Sequence, residues 1–149
     1  VIPESAVREG LRTVRSRTGL KGRWQVLGTN PLIVADTGHN EAGLRLALTQ
    51  LLDLAPRHLH VVFGVVRDKD LDRILALLPP AATYYFCHAA IPRALPASEL
   101  QSRAATAGLH GQSYDSVMAA LTAARAAAHP PDAIYVGGST FVVAEVEGL

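Results

Sequence analysis

The sequence predicts an α/β domain with a Rossmann-like, mainly parallel sheet flanked by helices. Short apolar runs of four to seven residues, typical of buried strands, alternate along the chain with amphipathic helical segments. Such alternation implies βαβ units, whose strands run parallel and are covered on both faces. The first two runs are separated only by residues 28–31, so we expect an antiparallel N-terminal strand beside the second strand.

Five segments are predicted as strands because each is an apolar run bounded by turn-forming residues. Residues 83–87 are also rich in aromatic side chains, which suit a sheet. The five segments are residues 24–27, 32–35, 58–64, 83–87 and 133–136.

Helices are predicted between these strands. From residue 42, Leu44, Leu48 and Leu51 recur at the spacing of one helical face. Ser98 is the predicted N-cap of a later helix that ends at Gly108. The other predicted helices begin near Pro3, cover residues 71–78 and 115–128, and follow residues 137–140.

Composition limits the classes of function. The chain has 149 residues, about one domain, with 49% hydrophobic residues, 18% charged residues and a net charge of +1. This balance gives no reason to expect a nucleic-acid partner, and no apolar run approaches the roughly 20 residues that span a membrane. The single cysteine, Cys87, fits a reducing cytoplasm. We expect a monomeric, cytoplasmic protein. Since the chain begins at Val1 rather than Met, we also expect it to be a piece of a longer protein.

A polar cluster follows the second predicted strand. Asp36 ends the apolar run, and His39 and Asn40 open the next helix. Ligands bind at the carboxyl ends of strands in open α/β sheets, and the first N–H groups of a helix favour anions. Asp36 could instead form only a turn, and Asn40 could be a helix cap. His39 is harder to explain structurally, because no apolar packing there needs an imidazole.

Two further loops belong to the same predicted edge. Asp68 or Asp70 could cap the helix that follows, while Lys69 could meet an anionic ligand as a point charge. The glycine-bearing turn 137–140 contains Ser139 and could hold an anion. Neither a Walker A sequence nor Gly-x-Gly-x-x-Gly occurs in the chain, so the usual means of gripping a triphosphate is missing.

Other chemistry receives little support. His58 and His60 share one face of a predicted strand, but two histidines without further ligands make a poor metal site, and we assign no metal ligand. Cys87 lies within a hydrophobic strand, and no Gly-x-Ser-x-Gly elbow is present. No residue of this chain is assigned a catalytic role.

The order of these features resembles the C-terminal domain of folylpolyglutamate synthases and dihydrofolate synthases in the Mur ligase family. The family's common motif Asp-Gly-Ala-His-Asn-Pro here reads Asp-Thr-Gly-His-Asn-Glu, with Glu41 in place of proline. The resemblance covers residues 23–149, and residues 1–22 resemble the end of the preceding ATPase domain and its linker. The matching pieces are residues 22–25, 36–40, Gly64 with 68–70, 93–94 before Pro96, and 138–139.

The resemblance implies an ATP-dependent ligase that joins L-glutamate to folate or dihydropteroate through an acyl phosphate. It implies that Arg23, Asp36, His39 and Asn40 contact ATP on domain closure. For glutamate we look to Lys69 and Ser139, from their position and chemistry. The P-loop and the Mg²⁺ ligands are expected in an N-terminal ATPase domain, which would be the partner of this chain, so this chain alone should be inactive.

Two alternatives remain at this stage. One is the C-terminal domain of a cell-wall Mur peptide ligase, which usually carries a different sequence around the strand-end acid. The other is a non-catalytic α/β binding domain, which would not need Arg23, Asp36 and His39 to meet at one edge.

Overall fold

A computed structural model describes residues 1–67 and 70–149 of the chain. Among these residues a single six-stranded sheet is flanked by helices, so the predicted fold class is confirmed. The strands are β1 (Gln25–Thr29), β2 (Leu32–Ala35), β3 (Leu59–Phe63), β4 (Thr83–Phe86), β5 (Gly111–Ser113) and β6 (Ala133–Gly137). The helices are α1 (Glu4–Thr18), α2 (Glu41–Asp53), α3 (Leu71–Leu75), α4 (Ala97–Thr106), α5 (Val117–Ala127) and α6 (Thr140–Ala144).

The sheet has the order β1-β2-β6-β3-β4-β5. β1 pairs antiparallel with β2, as predicted, and the remaining pairs are parallel. β3, β4 and β5 are added outward one after another, and the chain then returns to place β6 between β2 and β3. Open α/β sheets bind ligands at the carboxyl ends of strands where the strand order reverses, which here are the ends of β2, β6 and β3.

Each face of the sheet carries its own apolar layer. Leu44, Leu48 and Leu51 of α2 pack with α3 and α4 on one face, in a layer that includes the buried rings of Tyr84 and Tyr135. Leu121 of α5 packs on the other face, together with residues of α6. Burial of each leucine contributes about 1.5–3 kcal/mol to the stability of the fold. Every residue of β3 and β6 is buried, as expected for central parallel strands that are covered on both faces.

The structure corrects several predicted boundaries. β5 was not predicted, because Gly-Gln-Ser has no apolar pattern and becomes a strand only by pairing with β4. β1 extends through Thr29, which had been assigned to the turn. Ser98 is not the N-cap of α4, because Pro96 occupies that position. Pro96 makes no side-chain cap hydrogen bond, but proline suits the start of a helix. Ser116, rather than Asp115, precedes α5 and caps it.

The N-terminal helix stands apart from these layers. α1 has no buried residue, and its apolar side chains Val7 and Leu11 are exposed. Its arginines lie on the solvated surface, where Arg8 and Arg12 pair with nearby glutamates of the same helix. None of the helices within the described part of the chain combines the length and apolar character needed to cross a bilayer.

Candidate functional site

The candidate site lies at the carboxyl edge, where β2 gives way to α2. The Asp36 carboxylate is half-buried and accepts two backbone hydrogen bonds of 2.7 Å, from Trp24 to Oδ2 and from Gly38 to Oδ1. The bond to Gly38 is the turn-forming bond that the sequence suggested. The bond to Trp24 is long-range and reaches the segment before β1, so Asp36 is more than a local turn residue.

A second set of contacts fixes residues 22–24 to the same turn. The Thr37 N–H donates to the Gly22 carbonyl oxygen over 2.7 Å, and the Gly22 N–H donates to the side-chain oxygen of Gln25 over 2.8 Å. Gly22 has a φ of +72°, and a Cβ there would lie 2.6 Å from Cγ2 of Thr37. Only glycine therefore fits this contact between the linker and the strand end.

Arg23 is held between these two anchors. Gly22 and Trp24, its neighbours, bond to Thr37 and Asp36, so the backbone of Arg23 lies against the strand-end turn. Its side chain is exposed, and its guanidinium makes no hydrogen bond or ion pair with any residue in ranges 1–67 and 70–149. The linker thus brings a positive charge to the edge where Asp36 lies.

His39 is exposed at the start of the helix. Its Nδ1 lies 3.0 Å from the Thr37 carbonyl oxygen. Because a carbonyl can only accept, Nδ1 carries the hydrogen, and the bond fixes the tautomer and the orientation of the ring. The structure therefore presents an oriented imidazole at the same turn as Asp36, as the sequence predicted for its position.

Asn40 and Glu41 form the first turn of α2. Oδ1 of Asn40 accepts from the Gly43 N–H over 2.8 Å, so Asn40 is the N-cap that the sequence offered as one explanation. Glu41 pairs with Arg45 over 2.9 Å, one helical turn later, and its charge also complements the helix dipole. Glu41 therefore has a local partner on the exposed face of α2.

The loops after β6 and β3 form a floor with few side chains. Gly138 has a φ of +94°, and a Cβ there would lie 2.5 Å from the Gly64 carbonyl oxygen. A Cβ at Gly64 would lie 2.6 Å from the carbonyl oxygen of Cys87. Successive strand ends therefore pack closely against each other at this edge, and no side chain fits at positions 64 and 138.

Ser139 follows this floor and is buried at the start of α6. Its side chain is 3% exposed, and its hydroxyl accepts from the Phe141 N–H over 3.2 Å as the N-cap of α6. The other residue predicted for glutamate, Lys69, lies outside the described residues, as does Asp68. Asp70 precedes α3 without a side-chain cap and pairs instead with Arg73 over 3.2 Å.

A cavity of about 340 Å³ lies beside His39, between the start of α2 and α3. Positive and negative side chains both line it, since Arg73 faces the same space as Glu41 and Asp70. The lining residues are His39, Asn40, Glu41, Asp70, Arg73 and Ile74. Two of the predicted ATP residues, His39 and Asn40, therefore border a concave surface, whereas Arg23 and Asp36 are not among its lining residues.

The histidine pair lies at the opposite, amino-terminal edge. His58 and His60 have ring centroids 4.9 Å apart, on one face of the strand as predicted. His58 bonds to the Thr83 hydroxyl over 2.8 Å, and Nδ1 of His60 to the Tyr85 hydroxyl over 2.9 Å. Across residues 1–67 and 70–149, no group of three or more histidine, cysteine or acidic side chains is placed to hold a metal ion.

The chain is similar to known proteins over most of its length. Residues 22–140 match the family described as Mur ligase, glutamate ligase domain. The chain is 31% identical over 148 residues to the Escherichia coli dihydrofolate synthase/folylpolyglutamate synthase, covering 97% of the chain and 33% of that protein. It is 35% identical over 147 residues to a Haloferax volcanii protein named "Probable bifunctional folylpolyglutamate synthase/dihydropteroate synthase", covering 97% of the chain and 17% of that protein.

Solved structures agree with the sequence matches. E. coli FolC in complex with DHPP and ADP superposes with a TM-score of 0.79 at 30% identity, over 97% of this chain and 33% of that one. The Yersinia pestis bifunctional folylpolyglutamate synthase/dihydrofolate synthase, complexed with AMPPNP and a Mn ion, gives 0.80 at 27% identity, with the same two coverages.

The α/β fold, together with the family match over residues 22–140, identifies the chain as a Mur-type ligase domain. The chain belongs to the Mur ligase family, as a C-terminal domain of the folylpolyglutamate synthase/dihydrofolate synthase type. It spans about a third of the E. coli relative. The family assignment made from the sequence is confirmed, while the ligand roles of the individual residues stay predictions.

Proposed function

We propose that this chain is the C-terminal domain of an ATP-dependent ligase that joins L-glutamate to folate or dihydropteroate. On domain closure it contributes to the binding of ATP and glutamate. The observation that carries the proposal is the attachment of residues 22–24 to the turn after β2, which sets Arg23 beside Asp36 and His39 at one sheet edge. A non-catalytic domain would have no need for this arrangement. Relatives complexed with ADP or AMPPNP support a nucleotide as the ligand.

The donor set fits a nucleoside triphosphate held from one side. The Arg23 guanidinium suits phosphate oxygens, since it presents several donors in a planar fork. The Asp36 carboxylate can accept from ribose hydroxyls at a strand end. His39 presents a fixed ring to the same space, and the amide nitrogen of Asn40 is a further donor because its oxygen caps α2.

In this proposal the rest of the machinery belongs to an N-terminal ATPase domain, with residues 1–22 as the end of that domain and the linker. That domain would supply the P-loop and the Mg²⁺ ligands. ATP would convert the carboxylate of the folate substrate to an acyl phosphate, and the amino nitrogen of glutamate would displace phosphate. Arg23 would stabilise negative charge on the transferred phosphoryl group, and Ser139 and Lys69 stay candidates for the glutamate side.

The test uses the enzyme that carries this chain together with its ATPase domain. Glutamate-dependent release of ADP is measured with tetrahydrofolate or dihydropteroate as acceptor. We expect Arg23→Ala to lower kcat/KM by about a hundredfold. Arg125→Ala is the matched control, because Arg125 is an exposed arginine on α5, and it should keep full activity.

Each result discriminates between functions. Activity with a cell-wall peptide precursor, and none with folates, would favour the Mur peptide ligase. No ADP release with any acceptor would support a non-catalytic domain. The isolated 149-residue chain is expected to show no turnover, so measurable ligation by it would contradict the division of labour between the two domains.

A further inference from the structure

Tyr135 lies directly beneath the floor of the candidate site. It sits in the middle of β6 and is 0% exposed. A Cβ placed at Gly137 would lie 2.5 Å from the Tyr135 hydroxyl oxygen and 2.7 Å from Cε1 and Cζ of its ring. The ring therefore runs along the strand towards its carboxyl end and occupies the space that a side chain at position 137 would fill. Tyr135 and Gly137 fit each other as a pair.

The Tyr135 hydroxyl has no hydrogen-bond partner among residues 1–67 and 70–149, although it is fully buried. Phenylalanine would fill the same apolar layer without this polar atom, and an unsatisfied buried hydroxyl destabilises a fold. Tyr84, on the same face of the neighbouring sheet region, shows the usual solution, since its hydroxyl donates to the Pro79 carbonyl over 2.7 Å. The stability of the fold therefore does not explain why position 135 has tyrosine rather than phenylalanine.

The charge of Asp36 acts on this hydroxyl. Burial raises the pKa of Tyr135, and the negative charge of Asp36 raises that pKa further, so the phenol stays protonated and can act as a donor. Asp36 follows β2, the neighbour of β6, and its N–H donates to the Val136 carbonyl over 3.0 Å. The donor and the carboxylate thus lie on adjacent strands at the same edge.

Asp36 has capacity for a further donor. Each of its carboxylate oxygens accepts one backbone hydrogen bond, from Trp24 or from Gly38. A carboxylate oxygen has two lone pairs, so one acceptor position remains on each oxygen. An additional bond from below would restrict rotation of the carboxylate and leave the other position to a ligand above.

We propose that Tyr135 is a positioning residue for Asp36, its hydroxyl donating to the carboxylate when Asp36 turns to accept from a bound nucleotide. The inference rests on the proposed role of Asp36 in binding ATP. In the ligand-free protein the buried hydroxyl is unpaired within the described part of the chain and destabilises the fold. In the complex with nucleotide the same hydroxyl donates to Asp36. Gly137 belongs to the same device, because any side chain there would displace the ring.

The test compares Tyr135→Phe with Tyr84→Phe in the enzyme carrying both domains. We expect Tyr135→Phe to raise KM for ATP about five- to tenfold, as for loss of one hydrogen bond, with a smaller change in kcat. Its melting temperature should be unchanged or higher, because the variant loses no bond in the free protein. Tyr84→Phe should lower the melting temperature and leave KM for ATP unchanged.

A spectroscopic readout accompanies the kinetics. In protein labelled with ¹³C at tyrosine Cζ, the Tyr135 hydroxyl proton should exchange more slowly when the ATP analogue AMPPNP is added. Asp36→Asn distinguishes the proposed role of Asp36 in ATP binding from the positioning role of Tyr135. If this variant leaves KM for ATP unchanged, the proposed function of Asp36 fails. If Asp36→Asn raises KM but Tyr135→Phe changes it less than twofold, or AMPPNP leaves hydroxyl exchange unaltered, only the role of Tyr135 is overturned.

Discussion

The backbone N–H of Trp24 donates to Oδ2 of Asp36 over 2.7 Å, across twelve positions of sequence. Trp24 has a φ of +42°, a left-handed conformation that non-glycine residues rarely adopt. The carboxylate therefore holds a strained backbone in place, and the linker depends on Asp36 for its path. The same side chain that is proposed to meet the nucleotide also orients the linker residue Arg23.

Removal of the Asp36 carboxylate should destabilise the domain. In Asp36→Ala the N–H groups of Trp24 and Gly38 lose a charged acceptor, and we expect the free energy of unfolding to fall by about 2 kcal/mol. Urea denaturation of the chain measures this. Asp53→Ala is the control, since Asp53 is exposed at the end of α2 and should change stability by less than about 0.5 kcal/mol. Equal losses in both variants would contradict the anchoring role.

Glycine at position 22 should matter for contact as well as for backbone conformation. Gly19 and Gly22 have similar φ values, +69° and +72°, but only at Gly22 would a Cβ collide with a neighbour, Cγ2 of Thr37 at 2.6 Å. We expect Gly19→Ala to cost about 1 kcal/mol of stability and Gly22→Ala about 2–3 kcal/mol. Thermal or urea unfolding of the two variants isolates the contact. A cost at Gly22 no larger than at Gly19 would show that Thr37 moves aside freely.

Stability should fall on mild acidification because of His60. This ring is buried, with Nε2 3.6 Å from Oδ2 of Asp132. Burial lowers the pKa of His60 below its usual 6.5, and the adjacent His58 and the nearby His129 lower it further, against the opposing charge of Asp132. The unfolded chain therefore takes up the proton at higher pH than the folded chain. The stability is complete above pH 6.5 and declines as pH falls below it.

The measurement is urea denaturation between pH 8 and pH 5. One proton contributes at most about 1.4 kcal/mol per pH unit. His60→Gln should lose this part of the slope, whereas His110→Gln, at an exposed histidine, should keep it. An unchanged slope in His60→Gln would refute the assignment.

A second pH window belongs to Asp132. The His129 backbone N–H, and then the Arg57 guanidinium, lower the pKa of Asp132 from 3.8 to about 2, although burial opposes them. Because the folded carboxyl binds its proton less readily, this stability is present above pH 3.8 and is lost as pH falls towards 2. Asp132→Asn should flatten the stability profile in that window, measured by denaturation between pH 5 and pH 2. A profile as steep as that of the wild-type chain would count against Asp132.

Gly137 and Tyr135 should show energetic coupling. In Gly137→Ala the new methyl group meets the Tyr135 ring, and we expect a loss of about 2–3 kcal/mol. In the double variant with Tyr135→Leu, the shorter side chain removes the collision, so the loss should be at least about 1 kcal/mol smaller than the sum of the single losses. Gly10→Ala in α1 is the control and should be neutral or stabilising, because no atom lies within 4 Å of its Cβ. Strict additivity would exclude the proposed fit.

Local pattern determined most of the elements. The helical spacing of Leu44, Leu48 and Leu51 predicted α2 and its buried face, since side-chain periodicity follows directly from backbone geometry. The closeness of the first two strands predicted their antiparallel pairing. The order of motifs predicted the family. Asn40 as a cap was among the alternatives that the sequence left open, because a cap depends only on residues within one turn.

Contacts between distant residues decided the rest. Gly111–Ser113 is a strand only because the edge of β4 offers it backbone partners, and no side-chain pattern marks such a strand. The meeting of Trp24 with Asp36 depends on chain reversal, and the position of β6 beside β2, which brings Tyr135 close to the strand-end turn, depends on strand order. The sequence by itself determined the class of fold, the family and the strand-end motif. Only the tertiary structure decided how the linker and the buried phenol are placed around it, because backbone hydrogen bonds and packing across the sheet leave no local periodicity in the chain.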